Sequence, residues 1–181
     1  FWKNVLKHAP HVHSIPLDYP RPAVQHHKGS SLVFRVPESV SSGLVNLAKD
    51  YEITLFGLVL SGFYVLLHKL SNENNLVIAT PVAGRLERSL RNALGQFVNT
   101  IAIHMDIDAD QTLRQFTQQV QEQLRQSLKH QKIAFSRVVE AVSPKRDGSI
   151  NPLAQIGMFW ERLGGMDEFK EIGRASCRER V

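Results

Sequence analysis

Cysteine is almost missing from this 181-residue chain: a single residue, Cys177, stands near its end. One cysteine excludes an internal disulfide framework and a Cys-based zinc site. Long apolar runs are also lacking. The longest, 55–67 (LFGLVLSGFYVLL), is broken by Gly57, Ser61 and Gly62 and falls short of the roughly 20 residues a membrane span needs. It reads as a buried helix. The N-terminal residues FWKNVLK form neither an apolar core nor a cleavage site of a signal peptide. Without an initiating methionine, the chain is expected to start inside a longer reading frame. The G-x-S-x-G elbow, the P-loop and GxGxxG are absent too. The residues alone thus offer no self-contained active site.

What remains is ordinary for one soluble globular domain: 43% hydrophobic and 22% charged residues. The net charge of +5 is spread out, its densest pair being Lys145-Arg146, with no interleaving of basic and aromatic residues. A nucleic-acid surface is therefore not expected, nor is a membrane partner. The expected location is cytoplasmic.

Residues 171–181 (EIGRASCRERV) stand apart. The ten residues 172–181 can be supplied by the codons ATC GGA AGA GCG TCG TGT AGG GAA AGA GTG, which is how a common sequencing-library adapter reads in translation. The domain is accordingly taken as 1–170, and 171–181 as a non-native tail. Removing the tail leaves 19 positive and 15 negative residues and no thiol. Deleting 171–181 is expected to leave the thermal midpoint and any binding unchanged. A shift of several degrees would contradict that reading, since a loose terminus contributes almost nothing to stability.

Along the domain, 1–9 reads as a helix end, followed by a connector held irregular by Pro10, Pro16, Pro20 and Pro22. Strands are expected at 31–36 (SLVFRV), 76–80, 98–107 and 154–160 (AQIGMFW). The third places Ile101, Ile103 and Met105 on one side. Helices are expected to about Asp50, with Val40, Leu44, Leu47 and Ala48 on one face, and from the Thr54 cap to about Leu70. A third opens at Asp110 or Thr112 with Leu113, Phe116, Val120, Leu124 and Leu128 at helical spacing, and a fourth covers 134–142. Alternating strands and helices predict an α/β layer architecture.

Eight histidines invite a search for acid–base or metal chemistry. His8, His11 and His13 lie in the proline-rich connector, where Asp18 is the only carboxylate, so no metal site is expected. His26-His27 imitates a paired-histidine signature, HHxxxDG. The aspartate and glycine positions are Leu32 and Val33, so the pair is a decoy. His130 is expected to cap a helix end, and His68 and His104 to be packed or superficial.

Six collinear segments resemble the later motifs of condensation domains of nonribosomal peptide synthetases. FWKNVL (1–6) resembles YWxxxL, LDYPRP (17–22) resembles LPxDRPRP, and TPVAGR (80–85) resembles TPVAGR. LGQFVNT (94–100) resembles IGxFVNT. HQKIAF (130–135) resembles HQxxPF with Ala134 replacing proline, and RDGSINPL (146–153) resembles RDxSxNPLF with Ala154 replacing phenylalanine.

This resemblance implies the incomplete second lobe of a two-lobed fold like chloramphenicol acetyltransferase. It implies amide formation between a carrier-bound acyl or peptidyl donor and an aminoacyl acceptor. Both would be carried on phosphopantetheine arms, with no cofactor bound directly. The implied partners are carrier domains, a neighbouring adenylation domain and the missing N-terminal lobe. HHxxxDG would lie upstream, so no catalytic residue is assigned here. Arg85 would pair with the aspartate of HHxxxDG, the alternative being a solvated arginine among Glu87, Arg88 and Arg91. Asn99 would line the tunnel or satisfy local backbone. Asp147, Ser149 and Asn151 would brace the loop before the last strand. Epimerisation and heterocyclisation domains share the fold but tend to show F-T-S where this chain reads Phe97-Val98-Asn99-Thr100. A non-catalytic docking lobe for carrier domains is the reading from another class.

Overall fold

The structure is a computed structural model, described here for residues 1–25, 29–90, 92–142 and 147–161. His26-His27, Arg91, Lys145-Arg146 and the tail fall outside the described residues.

Two strands form the centre: β1 (Asn75–Val82) and β2 (Asn99–Asp106), antiparallel, with Leu76 opposite Met105 and Ile78 opposite Ile103. β1 reads NLVIATPV and is buried over most of its length. A continuous apolar run suits a strand covered on both faces. One face meets α3 (Leu55–Ser71) and α4 (Leu113–Lys129), where Leu60, Tyr64, Leu76, Ile78, Ile103, Phe116 and Val120 form a core. The other meets α1 (Trp2–Val5) and α5 (Phe135–Val142) through Trp2, Leu6, Val77, Ile101 and Val138. Ile101 therefore parts from Ile103 and Met105, with which the alternation had grouped it. α2 (Glu38–Asp50) packs on α3.

Local chemistry explains the helix ends. The Thr54 side chain accepts from the Gly57 N–H at 3.0 Å to start α3, and Asn72 closes it with left-handed φ 56°. Thr112 opens α4 with a capping box, its partner being Gln115. Gln121 Oε1 accepts from both N–H and Oγ1 of Thr54, tying the middle of α4 to the start of α3. Tyr64 is fully buried and donates its hydroxyl to Ile103 O at 2.7 Å, and burial pushes its phenol pKa far up.

Two expected strands differ. Residues 31–36 take no regular structure, and Leu32, Val33 and Phe34 are 87, 89 and 77% exposed. A strand needs a neighbour to bond its N–H and C=O groups, and no strand pairs with this segment among the described residues. Residues 154–160 reach the sheet through one parallel bridge. There Ala79 N donates to Ile156 O and Met158 N to Ala79 O, both at 2.9 Å.

Burial lowers the pKa of two histidines below the usual 6.5. At His13 it outweighs the opposing pull of Glu73, and at His104 that of Asp106. The folded chain keeps both neutral, whereas the unfolded chain protonates them near 6.5. Their stability contribution is complete above that pH and is lost as pH falls through the window beneath it. A thermal midpoint measured at pH 7.5 and 5.5 should fall, and His13→Gln should reduce the fall. An unchanged pH dependence in that variant would contradict the assignment.

Candidate functional site

The feature richest in motif residues is the loop joining β1 to β2, together with the α4–α5 turn beneath it. Gly84 follows β1 with φ +66°, and a Cβ there would run into the Phe97 carbonyl oxygen. Glycine alone suits both the left-handed backbone and that approach. The chain then departs through a short 3-10 turn, Arg88–Leu90, and returns past Gly95.

Arg85 organises this loop. Its Nη1 donates to Leu90 O and, at 2.7 Å, to Ala93 O, and Nη2 donates to Gly95 O at 3.2 Å. The guanidinium carbon lies 4.5 Å from the Phe97 ring centroid, within reach of a cation–π contact. Arg85 is half-buried while Glu87 and Arg88 are exposed.

Asn99 opens β2 and braces the turn between α4 and α5. Its Nδ2 donates to Gln131 O and Ile133 O, both at 2.8 Å, while Oδ1 accepts from Phe135 N at 3.1 Å. These partners stand 32, 34 and 36 residues away. Between the two loops lies a cleft of about 370 Å3, walled by Gly84, Leu90, Phe97, Asn99, Gln131 and Lys132 among others. A larger apolar cleft, about 1010 Å3, lies between α2, α3 and residues 32–34 and 157–159.

Asp147 accepts from Ser149 N at 2.8 Å and Ser149 Oγ at 2.7 Å, folding its own turn. Gly148 O in that turn accepts from Gln25 N of the connector, and Asn151 is exposed. No pattern in the residues points to Gln155, whose Oε1 accepts from His13 N at 3.3 Å and whose Nε2 donates to His11 O at 2.6 Å.

The histidines are dispersed. His130 Nδ1 bonds Gln126 O at 2.9 Å and the ring stacks on Phe1, their centroids 3.8 Å apart. His68 bonds Glu73 O and His104 bonds Asn75 Oδ1. His13 is buried, with Nδ1 3.7 Å from Glu73 Oε2. Among the described residues, no three His, Cys, Asp or Glu side chains are grouped to hold a metal, and no single helix is long and apolar enough to cross a membrane.

Sequence reasoning singled out Arg85 and Asn99 but not Phe97, which the structure places under Arg85. Its signal was present in outline, an aromatic residue two positions beyond a glycine in LGQFVNT.

Comparison with known proteins agrees with this arrangement. The family model of the condensation domain matches residues 1–177. Phosphinothricin tripeptide synthetase PhsB of Streptomyces viridochromogenes is 35% identical over 156 residues, 86% of this chain and 13% of that protein. Gramicidin S synthase 2 of Brevibacillus brevis is 29% identical over 178 residues, 98% of this chain and 4% of that one. The chain thus spans a small part of the synthetases it matches. Among solved structures, holo-AB3403, a four-domain nonribosomal peptide synthetase bound to AMP and glycine, is 98% identical. It superposes with a TM-score of 0.90 over 94% of this chain and 13% of its own. The X-domain from teicoplanin biosynthesis shares the fold, with a TM-score of 0.81 at 23% identity over 86% of this chain and 35% of its own. With the six motifs in order, their positions in the fold and a family match over nearly the whole chain, this chain belongs to the condensation domain family of nonribosomal peptide synthetases.

Proposed function

We propose that this chain is the second-lobe part of an amide-forming condensation domain. The parent domain joins a donor acyl or peptidyl thioester to the amine of an acceptor aminoacyl thioester, each on the phosphopantetheine arm of a carrier domain. The amine attacks the donor carbonyl, the amide bond forms, and the donor thiol leaves. Residue assignments follow the same reading. Arg85 and Asn99 support the active site, and Asp147 and Asn151 shape the loop before the last segment. HHxxxDG is supplied from outside this chain, and the isolated chain is inactive.

The observation that carries amide formation over epimerisation or heterocyclisation is the use of Asn99. Its amide donates twice and accepts once. The F-T-S pattern holds hydroxyl side chains and no amide, and a hydroxyl carries one donor and cannot hold both carbonyls and the Phe135 N–H.

Two measurements test the reading. The reading frame upstream of Phe1 should contain an intact HHxxxDG, and a degenerate one would favour a docking lobe. The parent domain should also return its donor residue with unchanged stereochemistry on chiral chromatography. An inverted donor without an amide product would assign the domain to epimerisation.

A further inference from the structure

Arg85 has five N–H groups, and the three loop carbonyls engage both Nη1 hydrogens and one of Nη2. Nε–H and the second Nη2–H meet no acceptor among the described residues. Carbonyls alone leave the guanidinium free to tilt about the edge they hold, and an aromatic face beneath the plane removes that freedom. Phe97 supplies it at 4.5 Å. The contact depends on Gly84, since only a residue without a Cβ lets the Phe97 backbone come this close.

We propose that Phe97 is a positioning residue that acts through Arg85. Its ring sets the guanidinium plane, and Gly84 and the three carbonyls set its edge. The uncommitted N–H groups are thereby held in one orientation for a carboxylate from outside this chain. The inference rests on the reading of Arg85 as active-site support. A carboxylate accepts two parallel N–H bonds only when the guanidinium is presented in plane, so a loose Arg85 would bind its partner without orienting it.

Arg114 over Tyr51 provides an internal control. That pair has a similar cation-to-centroid distance, 4.2 Å, and among the described residues Arg114 donates to Asp50 O. It lies on α4 and the end of α2, away from the loop.

The test uses the parent condensation domain with acyl-loaded donor and aminoacyl-loaded acceptor carriers, measuring kcat, KM for each carrier and the thermal midpoint. Phe97→Leu, which keeps bulk without a π face, should lower kcat about tenfold with KM nearly unchanged, the scale of one partly desolvated cation–π contact. Phe97→Tyr should stay within about twofold, since it keeps the face. The double variant Phe97→Leu with Arg85→Ala should be no slower than Arg85→Ala alone. Tyr51→Leu should leave kcat unchanged. A Phe97→Leu enzyme with unchanged kcat, or losses that multiply in the double variant, would overturn the proposal. So would a Phe97→Tyr enzyme as slow as Phe97→Leu. If Arg85→Ala alone leaves kcat unchanged, the reading of Arg85 fails; a slow Phe97→Leu enzyme in that case shows that Phe97 acts by another route.

Discussion

Replacing Arg85 with alanine in the parent domain is expected to lower stability by about 3–5 kcal/mol, the range for breaking a buried charge pair, and to reduce amide formation with it. Two losses combine. Within this chain, the carbonyls of Leu90, Ala93 and Gly95 lose the guanidinium as donor, Leu90 O keeping only the Ala93 N–H at 3.3 Å. They stand in a partly exposed loop, so water replaces some of that loss, and each should cost less than the 1–3 kcal/mol of a buried unsatisfied group. In the proposed assembly, a carboxylate on the other side of the guanidinium is also left unpaired. Arg85→Lys should recover only part of the effect. A lysine ammonium is a point charge with three donors and cannot lie flat on Phe97 while forking to a carboxylate. Arg88 is exposed, and Arg88→Ala and Arg91→Ala should be nearly silent. Denaturant unfolding and turnover of the four variants together separate the cases. An Arg85→Ala domain with parental stability and turnover would place Arg85 among its solvated neighbours.

The second large effect is expected at Asn99. Alanine there removes two donors and an acceptor at once, releasing Gln131 O, Ile133 O and Phe135 N. At about 1 kcal/mol for each net hydrogen bond, a loss of about 2–3 kcal/mol follows. Phe135 is the first residue of α5, so its amide should exchange faster with solvent in the variant while amides in the middle of α4 keep their protection. Asn99→Asp separates a hydrogen-bonding role from a packing role. It retains the acceptor for Phe135 N but sets a carboxylate against two carbonyl oxygens, so it should be at least as destabilising as alanine. An Asn99→Asp domain as stable as the parent would contradict the brace.

Much of the fold could be read from local pattern because the deciding forces were local. The capping box at Thr112 and the apolar stripe through Phe116, Val120 and Leu124 define α4 within its own seventeen residues and the cap before them. The Thr54 cap does the same for α3. Residues 31–36 carry as strong a strand pattern as β1, yet a strand is a property of a pair, and nothing in SLVFRV specifies where its neighbour comes from. Residues 154–160 lie between these cases, with Ala79 bonding one turn of the segment to the sheet edge.

The site shows the same division. Arg85 and Asn99 could be picked out as residue types within motifs, since a guanidinium and an amide are multiple donors wherever they stand. Their partners could not. Arg85 binds backbone carbonyls, which every residue carries, and the choice of Leu90, Ala93 and Gly95 is made by the path of the loop. That path depends on Gly84 passing close to Phe97, a contact thirteen residues apart in sequence that shows in no periodicity. Asn99 likewise reaches across all of α4 to its partners.

The most direct test of the central claim is a single-turnover reaction of the parent domain. Its carriers would be loaded with an acyl donor and with an aminoacyl acceptor, and followed by mass spectrometry of the carrier arms. Amide formation predicts that the acceptor arm gains the mass of the donor acyl group as the donor arm returns to a free thiol. Two carriers that bind the domain and keep their separate loads would contradict it.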